Sequence, residues 1–76
     1  MVARRKKYEV AIHNRTVRDT LYQGERNRTG YADDWSQTHY IEVSATSEDD
    51  ARRALLRRYP PDRGFVVEAV VCIEPD

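Results

Sequence analysis

Tyr8, Val10 and Ile12 alternate with Glu9, Ala11 and His13, the period-two pattern of a half-buried strand. Ile41, Val43 and Ala45 alternate with Tyr40, Glu42 and Ser44 and predict a second strand. From Phe65 to Ile73 the chain is almost continuously apolar and rich in valine. Such a run suits a strand buried on both faces, so the third strand is expected at the centre of the sheet.

The pattern changes period between the second and third strands. Ala51, Ala54, Leu55 and Tyr59 fall on one face of a helix running from about Ser47 to Tyr59. Thr46 or Ser47 can cap it, with Asp49 or Asp50 three residues on. Glu48, Asp49 and Asp50 crowd the positive end of the helix dipole, and Arg57 and Arg58 sit at its negative end. Pro60 and Pro61 stop the helix and Gly64 supplies a turn.

These elements define an α+β domain of β-β-α-β order. Its sheet has three strands, mainly antiparallel, with one helix packed on one face. A fourth strand arises if residues 17–23 extend the first strand or form their own. The connection at 14–38 is long for a compact domain and is expected to be a loop, with one helical turn near Ala32 to Ser36.

Side-chain alternation sorts the sheet into two faces. Tyr8, Val10, Ile12, Ile41, Val43, Ala45 and the odd-numbered positions of 65–73 are expected under the helix. The other face receives Ala11, His13, Tyr40, Glu42, Val66, Glu68, Val70 and Cys72. One helix covers one face only. The second face is therefore closed by the long connection, through Leu21, Tyr22, Tyr31 or Trp35, or by another molecule. Tyr40, Val66, Val70 and Cys72 mark it as a candidate self-association face, and a homodimer is one expected use.

Length bounds what the chain can do. Seventy-six residues make one domain with a thin core and little room for an enclosed site. The single cysteine, Cys72, excludes an internal disulfide. No run reaches signal-peptide or membrane-spanning length, so a cytoplasmic protein without a membrane role is expected. His13 and His39 fall on opposite faces by alternation and lack metal-ligand spacing, so no metal and no cofactor are expected. No nucleophile elbow, phosphate loop or zinc motif appears, and the adjacent Asp33 and Asp34 read as solvated loop carboxylates rather than an acid–base pair, so no catalytic residue is assigned.

Charge changes the picture more than the zero total suggests. Residues 1–30 carry eight basic and three acidic side chains, whereas 31–51 carry six acidic and no basic ones. Arg4, Arg5, Lys6 and Lys7 form a basic arm over residues 1–7, expected to be flexible. With Arg15 and Arg18 they are candidate nucleic-acid contacts. Tyr22, Arg26, Arg28, Tyr31, Asp33, Asp34 and Trp35 give the connection the composition of a protein-binding loop.

The stretch from Tyr40 through Leu56 (YIEVSATSEDDARRALL), followed by Phe65-Val-Val-Glu-Ala-Val, resembles the strand–helix–strand core of small phage-encoded inhibitors, including anti-CRISPR proteins. The resemblance covers about half the chain and carries no residue-level motif. It implies stoichiometric binding to a protein partner such as a CRISPR effector complex. The leading expectation is thus a non-catalytic binding protein that occludes or bridges a protein partner. The alternative is a nucleic-acid-binding module using the arm and the loop arginines.

Overall fold

A computed structural model describes residues 4–74. The elements are β1 (Lys6–Asn14), α1 (Arg15–Tyr22), a 3-10 turn (Asp33–Ser36), β2 (His39–Ala45), α2 (Glu48–Arg58), a second 3-10 turn (Pro61–Arg63) and β3 (Phe65–Cys72). The three strands form one antiparallel sheet in the order β2-β1-β3. The α+β class and the antiparallel sheet agree with the hydrophobic pattern. The element order is β-α-β-α-β, with two helices rather than one.

The helix expected from Ser47 to Tyr59 is α2. Ser47 Oγ accepts from the Asp50 amide at 3.1 Å, and the Asp50 carboxylate accepts from the Thr46 amide at 3.0 Å. Ala51 and Leu55 are fully buried against Tyr8, Val10 and Ala45. Ile41, Val43, Tyr59, Val67 and Val70 complete this layer.

The bond from the Thr46 amide holds the Asp50 carboxyl below its ordinary value of 3.8. The Thr46 hydroxyl, Arg5 and Arg53 act in the same direction, against desolvation. A depressed folded-state value contributes stability that is present above the unfolded value and lost as pH falls through the folded one. Thermal melts at pH 7 and pH 3 should therefore show a smaller acid loss for Asp50→Ala than for the unsubstituted protein. Equal losses would mean that this cap does not titrate with folding.

The central strand is β1, not β3. Its burial runs unbroken from Val10 to Asn14, so both faces are covered there. The valine-rich β3 is an edge strand. Its apolar run is continuous because its alternation breaks midway. Val67 lies opposite Ile12, and Val70 lies opposite Val10, leaving Glu68 as an extra residue before Ala69. This bulge reverses parity along the rest of the strand. Val70 packs on the core under α2, and Cys72 shares that face opposite Tyr8. Neither belongs to the second face, where Ala69 and Val71 stand instead.

Residues 17–23 do not extend the first strand, because α1 begins directly after it. Asn14 caps this helix, its Oδ1 accepting from the Val17 amide at 3.0 Å. Val17 is fully buried and Leu21, one turn on, is half-buried. The 3-10 turn at Asp33–Ser36 falls where the helical turn was expected.

The basic arm is shorter than residues 1–7. Lys6 and Lys7 lie in β1 opposite Ala45 and Ser44, and the Arg5 guanidinium donates to the Ser44 carbonyl oxygen at 2.7 Å. Residues 1–3 of the arm lie outside the described residues.

Candidate functional site: an open sheet face and a loop-lined groove

The connection sends Tyr31 and Trp35 to the α2 side of the sheet, and reaches only one end of the other side, through Arg18 and Thr38. Trp35 stacks on His39 at 4.0 Å between ring centroids and meets Tyr59 and Phe65 at 5.0 and 5.2 Å. Tyr31 meets Phe65 edge-on at 4.8 Å. Two of the three aromatic residues expected to present a loop surface, Tyr31 and Trp35, thus extend the hydrophobic core, while Tyr22 stays exposed. Asp33 and Asp34 also turn to local duty. Asp33 accepts from Asn27 Nδ2 at 2.8 Å, and the Asp34 carbonyl oxygen lies 3.0 Å from His39 Nε2.

Asn27 fixes the loop's shape. Its amide donates to the Tyr31 carbonyl and Asp33, and its Oδ1 accepts from the Thr29 amide and hydroxyl. Arg26 and Arg28 flank this pinned residue. Both line an open groove of about 690 Å³ together with Glu25, Thr29 and the α1 residues Thr16 and Thr20. Tyr22 projects from the end of α1 and is 92% exposed.

The second face is closed at one end by a polar cluster. His13 Nδ1 lies 2.7 Å from Glu68 Oε2, and the Thr38 hydroxyl donates to the same oxygen at 2.6 Å. A carboxylate only accepts, so His13 carries its proton on Nδ1. Arg18 lies 4.0 Å from that carboxylate and donates to the Ser36 carbonyl oxygen at 2.7 Å. The Thr38 bond holds the Glu68 carboxyl below its ordinary range. Desolvation opposes this, and His13 and Arg18 reinforce it. The cluster is built by the bulge, which directs Glu68 to the side of His13.

Beyond that cluster the second face is open. Tyr40 is 67% exposed and Val71 53%, with Ala69 and Val66 also exposed. Glu9 lies directly opposite Glu42 at the middle of this surface, flanked by Val71. Neither glutamate has an ion pair among the described residues. Like charges directly opposite one another destabilise a sheet.

The candidate nucleic-acid contacts are not brought together. Arg5, Lys6 and Lys7 sit at the start of β1, while Arg15 and Arg18 follow its end, about 27 Å away at the rise of an extended strand. Arg15 pairs with Asp19 at 3.6 Å, and Arg18 is held by Ser36 and Glu68. His13 and His39 lie on opposite faces, as alternation requires. No group of three or more metal-ligating side chains occurs among the described residues, and no described helix is long and apolar enough to cross a membrane.

Comparison with family models, with curated proteins and with solved structures returns no match for this chain. Two features of the site escaped the sequence reading, the Glu68 bulge and α1. The first left a trace, a lone glutamate inside an apolar run. The second is signalled by Asn14 three residues before Val17, with Arg15 and Asp19 one turn apart.

Proposed function

We propose that the chain is a non-catalytic binding protein that occludes a protein partner with the open face of its sheet. The observation that carries this reading is the exposed surface of Tyr40, Ala69 and Val71 around the unpaired Glu9 and Glu42. A partner presenting apolar side chains and a lysine or arginine to the two glutamates would bury that surface. It would also relieve their repulsion. A tyrosine anchor beside aliphatic positions is the composition of an interface centre. The resemblance to phage inhibitors directs the search to protein components of nucleic-acid-handling complexes. Arg5 to Lys7 and the pair Arg15 and Arg18 stand at opposite ends of β1, so they form no common basic surface for a nucleic acid.

The test is affinity capture from the source cell, with cross-linking and mass spectrometry. A partner recovered by the unsubstituted protein should be lost with Tyr40→Ala/Val71→Asp. It should be retained with Arg52→Ala/Arg57→Ala on α2. A cross-linked lysine or arginine of that partner should map to the Glu9–Glu42 strip. Equal recovery by the sheet-face variant would sink the reading. Sedimentation of the purified protein adds an independent check. A dimer that dissociates in the Tyr40→Ala/Val71→Asp variant would replace the foreign partner with a second copy of this chain.

A further inference from the structure

The groove between α1 and the connection has a different chemistry from the sheet face. Five of the eleven arginines among the described residues are engaged, Arg15 with Asp19 at 3.6 Å among them. Arg5 bonds Ser44, Arg18 bonds Ser36, Arg53 pairs with Asp49, and Arg58 lies over the Tyr59 ring. Arg26 and Arg28 make no such contact, yet both line one groove. Asn27 between them is anchored through four hydrogen bonds, which fixes the backbone carrying both guanidiniums. Thr16 and Thr20, one turn apart on α1, also line the groove. Two guanidinium forks on one groove, neither paired among the described residues, suit a phosphate group.

We propose that this groove binds the sugar–phosphate backbone of a single-stranded nucleic acid, independently of the protein-binding sheet face. The openness of the groove favours a chain passing through over a free ion, since an open site desolvates a lone phosphate poorly. Tyr22 supports the same choice. Tyr22 ends α1, the helix that carries Thr16 and Thr20, and comes three residues before Glu25 of the lining, and its ring is 92% exposed and free to stack a base. Glu25 is the one carboxylate in the lining. It repels phosphate and limits affinity in the unsubstituted protein.

The inference is tested by fluorescence anisotropy with a labelled single-stranded 12-mer, as DNA and as RNA, at low and fourfold higher salt. With two phosphates neutralised, affinity should fall about sevenfold over that salt step. Arg26→Ala/Arg28→Ala should weaken binding by about tenfold or more and flatten the salt response, with its melting curve unchanged. Arg52→Ala/Arg57→Ala should leave binding as it was. Glu25→Gln should tighten binding, because it removes the repelling charge without shortening the side chain. Tyr22→Ala should weaken it without altering the salt slope. Absence of binding at low salt would overturn the proposal. So would equal weakening by both arginine pairs, or no tightening with Glu25→Gln. Displacement of the strand by inorganic phosphate at equal phosphate concentration would show a free-anion site and overturn the polymer assignment. None of these outcomes bears on capture by the sheet face, so each proposal stands or falls alone.

Discussion

Phe65→Ala is expected to leave no cooperative thermal transition above room temperature. Phe65 opens β3, is 2% exposed, and is met by Tyr31, Trp35 and Tyr59. Those three come from the connection and from the end of α2. One ring therefore holds the loop, the helix and the edge strand together. Replacing a buried phenylalanine with alanine costs about 3–5 kcal/mol, through lost burial and the cavity left behind. A core of this size supplies about 3–5 kcal/mol in all. The two magnitudes are equal, so the folded population should collapse rather than shift. The neighbouring Val66→Ala is the control, since Val66 is 37% exposed on the open face and should move the melting temperature by only a few degrees. Far- and near-ultraviolet circular dichroism against temperature reads both variants. A cooperative Phe65→Ala melt close to the unsubstituted one would show that the aromatic cluster is not the keystone described.

Trp35 and Tyr31 show why the fold was more legible than the site. Local pattern located α2 through its cap, its charged ends and its Ala51–Leu55 stripe, because all those signals lie within a dozen residues of one another. It also placed His39 under the helix and His13 on the other face. Whether an aromatic side chain in a long connection faces solvent or core depends on where that connection lands, and this is a tertiary fact. Here the connection lands on Phe65. Tyr31 and Trp35, read as interface anchors, pack on the core instead, and Arg26 and Arg28 line a groove no spacing rule announces.

The bulge at Glu68 makes the same point about register. Alternation assigns faces only while pairing is regular, and one extra residue exchanges every assignment beyond it. Val70 and Cys72 move under α2, and Val71 moves out to join Tyr40. The open face survives this exchange with different members, so the surface inferred from one-helix coverage is real although half its named residues are not on it. Glu68 does not merely disturb the strand. Its carboxylate, bonded by His13 and Thr38, closes the end of the second face that α1 borders.

Asn14→Ala is expected to destabilise the domain by about 2–4 kcal/mol, from a lost helix cap and an unpaired buried group. The residue is fully buried at the junction of β1 and α1. Its Oδ1 caps the Val17 amide, and its Nδ2 donates to the Arg63 carbonyl oxygen at 3.1 Å. The adjoining Arg15 amide donates to the Gly64 carbonyl oxygen at 2.7 Å. The turn before β3 is thus tied to the start of α1 by two hydrogen bonds, one from the Asn14 side chain and one from the Arg15 amide. Gly64 belongs to the same junction. Its φ of +99° suits glycine, and a Cβ there would meet Asn14 Oδ1 at 2.8 Å and Thr16 Cβ at 2.9 Å. Asn14→Ser separates the two roles. Serine still offers an acceptor to Val17 but is too short to reach Arg63, so it should recover about 1 kcal/mol of the alanine loss. Urea unfolding of the three proteins measures this order, and hydrogen exchange at the α1 amides should rise in step with it. Asn14→Ala matching the unsubstituted midpoint would refute the junction. Equal losses for alanine and serine would place the whole effect on the Arg63 tether. Because α1 carries Thr16 and Thr20, a loosened junction should also weaken strand binding in the groove while leaving capture by the Tyr40–Val71 face unchanged.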